Sequence, residues 1–149
     1  MGFNYRLTDI QCALGISQLE KIEYFLSRRR SIFRAYNNAF ANNKHIILPV
    51  EATGCFTNWH LYVLNIDFQE IGKDRADLIK ELKNNGIGTQ VHYIPVHTQP
   101  FYRNNFATNW GDCPVAEDYY KKCLSIPTYP EINLKSINHV IKSIKDICR

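Results

Sequence analysis

Residues 86 to 102 read Gly86-Ile-Gly-Thr-Gln-Val-His-Tyr-Ile-Pro-Val-His-Thr-Gln-Pro-Phe-Tyr102. Gly86 suits the end of a helix, because it takes the left-handed turn that closes one. Thr89 to Ile94 alternates polar and apolar residues, the pattern of a strand. Pro95 has no N–H to donate and stops the pairing. Beyond it come His97, Gln99, Phe101 and Tyr102. Two imidazoles, an amide and aromatic rings thus gather where a strand yields to a loop, and loops held by a rigid strand commonly carry binding groups. The same stretch also reads as a plain edge strand with a polar loop.

The totals restrict the rest. A chain of 149 residues, 45% hydrophobic and 21% charged, has the size and composition of one globular domain with a core. A net charge of +4 favours phosphorylated ligands but is too small to announce nucleic-acid binding. No apolar run is long enough for a membrane span, and no signal peptide opens the chain. The five cysteines, Cys12, Cys55, Cys113, Cys123 and Cys148, are odd in number and form no CxxC pair. They read as free thiols of a cytoplasmic protein rather than as a zinc site, and no metal is expected.

Upstream, Thr8 with Gln11 makes a capping box that opens a helix. Ile10, Leu14, Ile16, Leu19, Ile22, Phe25 and Leu26 give it an apolar face. The pattern continues through Ile32, Phe33, Tyr36 and Phe40 and stops at Asn42 and Asn43. One helix of that length is unusual, so a bend is expected near Lys21 to Glu23. Arg28, Arg29 and Arg30 read as the solvated face of this helix. Ile46 to Pro49 reads as a connector. Asn58 to Asp67 reads as a strand covered on much of both faces, with His60 packed in it. Asp74 caps a helix running to about Asn85. Asn104 to Asp112 reads as irregular. Pro114 opens a helix to about Cys123 with Val115, Ala116, Tyr119 and Cys123 inward. Leu124 to Pro127 suits a short edge strand. Asn133 caps a last helix whose buried stripe is Ile137, Val140, Ile141, Ile144 and Cys148, with His139 on the surface.

This order predicts an α+β fold: two long N-terminal helices, then a small, mostly antiparallel sheet with helices on one face. No P-loop, GxGxxG turn, HExxH helix or GxSxG elbow occurs. Cys113 has no adjacent base. The polar constellation is therefore Asn4, Arg6, Gln90, His92, Tyr93 and His97. Arg presents a fork of donors, and Asn offers both a donor and an acceptor. Such a set suits an anionic, polar ligand such as a sugar or nucleotide.

At these residues the sequence resembles a known family. Gly2-Phe-Asn-Tyr-Arg-Leu-Thr-Asp-Ile-Gln11, then Ala13-Leu14-Gly15 and Ser17-Gln18-Leu19, is similar to a segment of the DegT/DnrJ/EryC1/StrS nucleotide-sugar aminotransferases, which use pyridoxal 5'-phosphate. The 86–102 stretch, Gly111-Asp112, Pro114-Val-Ala-Glu117 and Leu124-Ser-Ile-Pro127 follow in the family's order. The His-Tyr-Ile-Pro-Val-His run most resembles the branch that serves pseudaminic acid synthesis.

The resemblance implies the C-terminal small domain of a fold-type-I aminotransferase, with 1–43 as interdomain and dimer-contact helices and 44–149 as the small domain. It implies a homodimer in which Asn4 reaches the cofactor phosphate of the neighbouring subunit and Arg6 lies close by. Gln90, His92, Tyr93 and His97 would border the nucleotide-sugar pocket. The reaction implied is amino transfer from an amino acid, glutamate, to C4 of a UDP-linked 4-keto-6-deoxy-N-acetylhexosamine. The family's Schiff-base lysine lies in a Ser-x-x-x-x-Lys context, and Lys21, Lys44, Lys73, Lys80 and Lys83 lack it. The chain is therefore expected to be a portion of such an enzyme, with no catalytic residue of its own and no activity alone. The alternative is a non-catalytic or split-enzyme subunit that supplies Asn4 and Arg6 in trans. A nucleic-acid module built on Arg28 to Arg30 lacks interleaved aromatics and a groove-reading helix. The stripe Ile10, Leu14, Leu19, Phe25 and Phe33 predicts self-association.

Overall fold

A computed structural model describes residues 5–149. Asn4 lies outside the described residues. Helix α1 (Asp9–Leu19) starts on the Thr8 capping box, with Gln11 N–H donating to Thr8 Oγ1 and the Gln11 side chain accepting from Thr8 N–H. The helical pattern breaks at Glu20 and Lys21, and α2 (Ile22–Phe40) follows. The expected bend is thus a break between two helices.

A three-stranded antiparallel sheet stands in the order β1 (Ile46–Ile47), β2 (Tyr62–Ile66), β3 (Cys123–Ile126). Ile46 faces Ile66, and Tyr62 faces Ile126. Tyr62, Leu64 and Ile66 of β2 point into the core, as period two requires. There they meet Ile32, Tyr36 and Phe40 of α2, Leu78 and Leu82 of α3 (Arg75–Asn84), and Ile137, Val140 and Ile144 of α6 (Leu134–Ile147). The fold is α+β, as the sequence predicts. Burial pushes the phenols of Tyr36 and Tyr62 up in pKa. Each finds an acceptor, Pro127 O at 2.8 Å and Asn37 Oδ1 at 2.6 Å. Among the described residues no helix is long and apolar enough to cross a membrane.

Local signals held where their partners are close in sequence. Asp74 and Asn133 cap α3 and α6 through Asp77 N–H and Ser136 N–H. Gly86, at φ 74°, closes α3 with Ile87 N–H on Leu82 O and Gly86 N–H on Lys83 O, both at 2.9 Å. His139 is exposed, as expected.

Several expectations are corrected. Ile46–Ile47 is a strand, because the edge of β2 pairs with it. The 58–67 strand begins only at Tyr62. Trp59 sits at φ 49°, and Asn58 Oδ1 accepts from His60 N–H at 3.1 Å, a turn that interrupts extended backbone. His60 is consequently exposed rather than packed. The 89–94 strand reduces to a single bridge between Gln90 and Ser125. Its antiparallel register would place Gly88 opposite Pro127, which has no N–H, and Ile94 opposite Lys121, which is helical. Part of the irregular 104–112 region belongs to α4 (Pro100–Phe106), which opens on Pro100 at its first position.

In α5 (Pro114–Lys122), Val115, Ala116 and Tyr119 face outward and the buried residue is Glu117. Cys123 is buried, but in β3. The three arginines are half-buried clamps, not a solvated face. Arg28 donates to Pro130 O and Ile132 O, and Arg29 to His60 O and Thr128 O. Arg30 pairs with Glu51 and lies 3.6 Å from the Phe56 ring centroid.

Candidate functional site

The turn at Gly86 swings residues 87–90 across to β3. Gln90 then exchanges two backbone hydrogen bonds with Ser125, 3.1 Å and 2.8 Å. Two residues on, the His92 ring returns to the same serine, with Nδ1 2.7 Å from Ser125 Oγ. Ser125 is buried, so it acts as a fixed peg for both residues. The result is an open groove of about 270 Å³ beside the end of β3. Gln90 and His92 line it together with Arg29 and His60.

Tyr93 turns the other way. It is exposed, its ring packs edge-on against His92 at 4.5 Å, and it lines a separate apolar depression of about 570 Å³ with Pro95, Cys113, Pro114 and Tyr119.

His97 lies in a single 3-10 turn, Val96–Thr98, and its side chain points into a polar hub. Nε2 is 2.8 Å from Glu117 Oε1. The same oxygen accepts from Gly111 N–H at 2.7 Å and Cys113 N–H at 3.3 Å. Thr108 Oγ1 donates to His97 O at 2.6 Å. Burial pushes the Glu117 carboxyl up in pKa. The hydrogen bonds from His97, Gly111 and Cys113 outweigh that and hold it below the usual carboxylate range. One carboxylate therefore ties together the turn at 96–98, the loop at 107–113 and the start of α5.

The residues singled out from sequence thus separate. Gln90 and His92 share the groove, Tyr93 lines the neighbouring depression, and His97 is held in the hub. Arg6 is exposed ahead of α1, and Asn4 is outside the described residues. Sequence reasoning missed Arg29, Ser125 and Glu117. Glu117 gave no signal of its own, because beside Asp118 near the start of a helix it reads as an ordinary solvated acidic pair. Among the described residues no cluster of three or more His, Cys, Asp or Glu side chains is placed to hold a metal ion.

Comparison with known proteins follows the same lines. The DegT/DnrJ/EryC1/StrS aminotransferase family matches residues 1–145. The chain is 40% identical over 146 residues to the uncharacterized protein MJ1066 of Methanocaldococcus jannaschii, covering 98% of this chain and 38% of that one. It is 37% identical over 149 residues to the spore coat polysaccharide biosynthesis protein SpsC of Bacillus subtilis, covering 99% of this chain and 38% of that one. Among solved structures, PseC of Helicobacter pylori, an aminotransferase involved in the biosynthesis of pseudoaminic acid, superposes with a TM-score of 0.89 at 28% identity, over 99% of this chain and 39% of PseC. The chain thus spans under two-fifths of the length of these proteins.

Proposed function

This chain belongs to the DegT/DnrJ/EryC1/StrS aminotransferase family, and from that membership we propose that it forms the C-terminal, substrate-side portion of a pyridoxal-phosphate-dependent sugar-nucleotide aminotransferase. The reaction proposed is transfer of an amino group from glutamate to C4 of a UDP-linked 4-keto-6-deoxy-N-acetylhexosamine, in the cytoplasm, by a homodimer. The observation that carries the substrate is the superposition on PseC over 99% of the chain.

In this reading 1–43 provide the dimer-contact helices, the contact falling to the exposed face of α1, while α2, with Ile32, Tyr36 and Phe40 in the core, also packs with 44–149 as part of the small domain. Asn4 donates to the cofactor phosphate across the subunit contact, with Arg6 nearby. Gln90, His92, Tyr93 and His97 border the nucleotide sugar. The exposed apolar face of α1 supports a subunit contact, with Ile10 82% and Leu14 63% exposed.

The described residues do not by themselves fit the cofactor. The groove holds a guanidinium and two imidazoles but no lysine. Lys73 Nζ is held by both Glu81 oxygens at 2.8 and 2.9 Å, and Lys122 Nζ by Asp118 at 2.9 Å.

The test is a chimera in which this chain replaces the matching portion of PseC. It is expected to retain pyridoxal phosphate and to aminate the UDP-linked 4-keto sugar. A cofactor-loaded chimera that aminates only dTDP-linked sugars overturns the substrate. The isolated chain is expected to lose pyridoxal phosphate on desalting and to show no amination. The α1 face also favours a second reading, a subunit that completes a partner's site in trans. Restoration of activity on mixing the isolated chain with an Asn4→Ala, Arg6→Ala chimera would select it.

A further inference from the structure

The groove beside β3, where Gln90 and His92 border the proposed nucleotide-sugar site, also carries polar groups to which the proposed function gives no role. Among the described residues four buried side-chain polar atoms lack a hydrogen-bond partner, and two of them, Thr89 Oγ1 and Thr128 Oγ1, belong to residues that line this groove. Thr128 is only 8% exposed. Buried hydroxyls are normally paired, so two orphans on one cavity point to a missing partner. Arg29 lines the groove as well. Its Nη1 is saturated by His60 O at 3.0 Å and Thr128 O at 2.7 Å, while Nε and Nη2 make no hydrogen bond with the described residues. That remaining edge is the fork that takes two oxygens of a carboxylate or phosphate at once. His92, with Nδ1 committed to Ser125, keeps Nε2 uncommitted. No acidic side chain lines the groove.

We propose that this groove binds an oxyanion, a carboxylate or a phosphate, gripped by the free edge of Arg29 with the Thr89 and Thr128 hydroxyls as further donors. The volume of about 270 Å³ falls just below the roughly 300–1,000 Å³ of pockets for drug-sized ligands. The occupant is accordingly a small ligand or one charged group of a larger one. The inference deepens the function proposed above and rests on it for the placing of Gln90 and His92 at the substrate, but its test measures binding, not amino transfer, so the two can fail separately.

The full chain is titrated with inorganic phosphate, UDP, L-glutamate and neutral uridine at constant ionic strength. Calorimetry reads the affinity, and NMR follows the ring protons of His60 and His92. Saturable binding of at least one anion, with His92 shifting and uridine inert, is expected. Binding of phosphate and UDP without glutamate identifies a phosphate source; glutamate alone identifies a carboxylate source. Arg29 also anchors two loops, so its substitution risks unfolding, and the deciding variant is Thr128→Val. That change removes a hydroxyl with no partner in the fold. Stability is expected to hold or rise while affinity falls about tenfold to hundredfold, the loss of one hydrogen bond to a charged group. Absence of saturable binding by all three anions overturns the proposal. So does an affinity unchanged in a stable Thr89→Val, Thr128→Val double variant.

Discussion

Helices α1 and α2 follow each other in the chain and repeat the same apolar spacing, yet they end in opposite surroundings. Helix α2 sinks Ile32, Tyr36 and Phe40 between the sheet and α6. Helix α1 has no buried residue. Periodicity reports which face of a helix is apolar; it does not report what covers that face. Coverage needs a second surface, and only α2 lies beside one. Within the predicted stripe the division is sharp. Ile10, Leu14 and Leu19 are exposed, Phe25 is half-buried, and Phe33 stacks on Trp59 with centroids 3.6 Å apart. Helix α5 is a third case. Its apolar residues also face out, but Glu117 anchors it from beneath.

The comparison can be broken most directly by truncation. Phe40→Ala is expected to cost about 3–5 kcal/mol, the range for removing a fully buried aromatic. Leu14→Asp is expected to shift stability by less than about 0.5 kcal/mol, as for an exposed position. It should also abolish the self-association that the exposed stripe predicts, with light scattering as the readout. Urea denaturation reads both variants, and a Leu14→Asp protein as unstable as Phe40→Ala would mean that α1 is packed after all.

The caps offer a smaller, matched pair. Asn133→Ala removes the acceptor for Ser136 N–H at the head of α6 and should lower global stability by about 1 kcal/mol. Thr8→Ala removes the equivalent cap from α1 and should leave the urea midpoint in place while reducing helical ellipticity. Equal losses of global stability from the two would show that α1 folds as part of the core.

The last effect is one of slope rather than size. The folded-state pKa of Glu117 is lowered, so its stabilising contribution is complete above the ordinary value of 4.5. It is lost as pH falls through the lowered folded value. Glu117→Gln cannot titrate and should flatten that acid limb of the urea midpoint. An unchanged limb would place the anchor of α5 elsewhere.

Much of this molecule was legible because its signals are local. The Thr8 capping box, the Asp74 and Asn133 caps and the Gly86 turn each join groups within about four or five positions, and a residue's own neighbours decide them whatever the tertiary fold does. The core stripes of α2, α3 and α6 were legible for the related reason that apolar area is buried wherever a partner surface exists.

The candidate site was legible only in part. Gln90 and His92 stand out by residue type, but the Ser125 peg that holds both cannot be paired with them until the chain closes. His97 and Glu117 are 20 positions apart, and Arg29 and Thr128 are 99 apart. No periodicity reports a contact at that range. The long arginines read as solvated because charge favours water; their planar forks instead found carbonyl groups that the loops left unpaired. The length of the 89–94 pairing was likewise decided elsewhere, by Pro127 and by the helical state of Lys121 on the opposing chain. Sequence by itself determined the elements and their caps. Which apolar face is covered, which charges turn inward and which hydroxyls are left without partners were decided by tertiary structure, because each depends on surfaces brought together from distant parts of the chain.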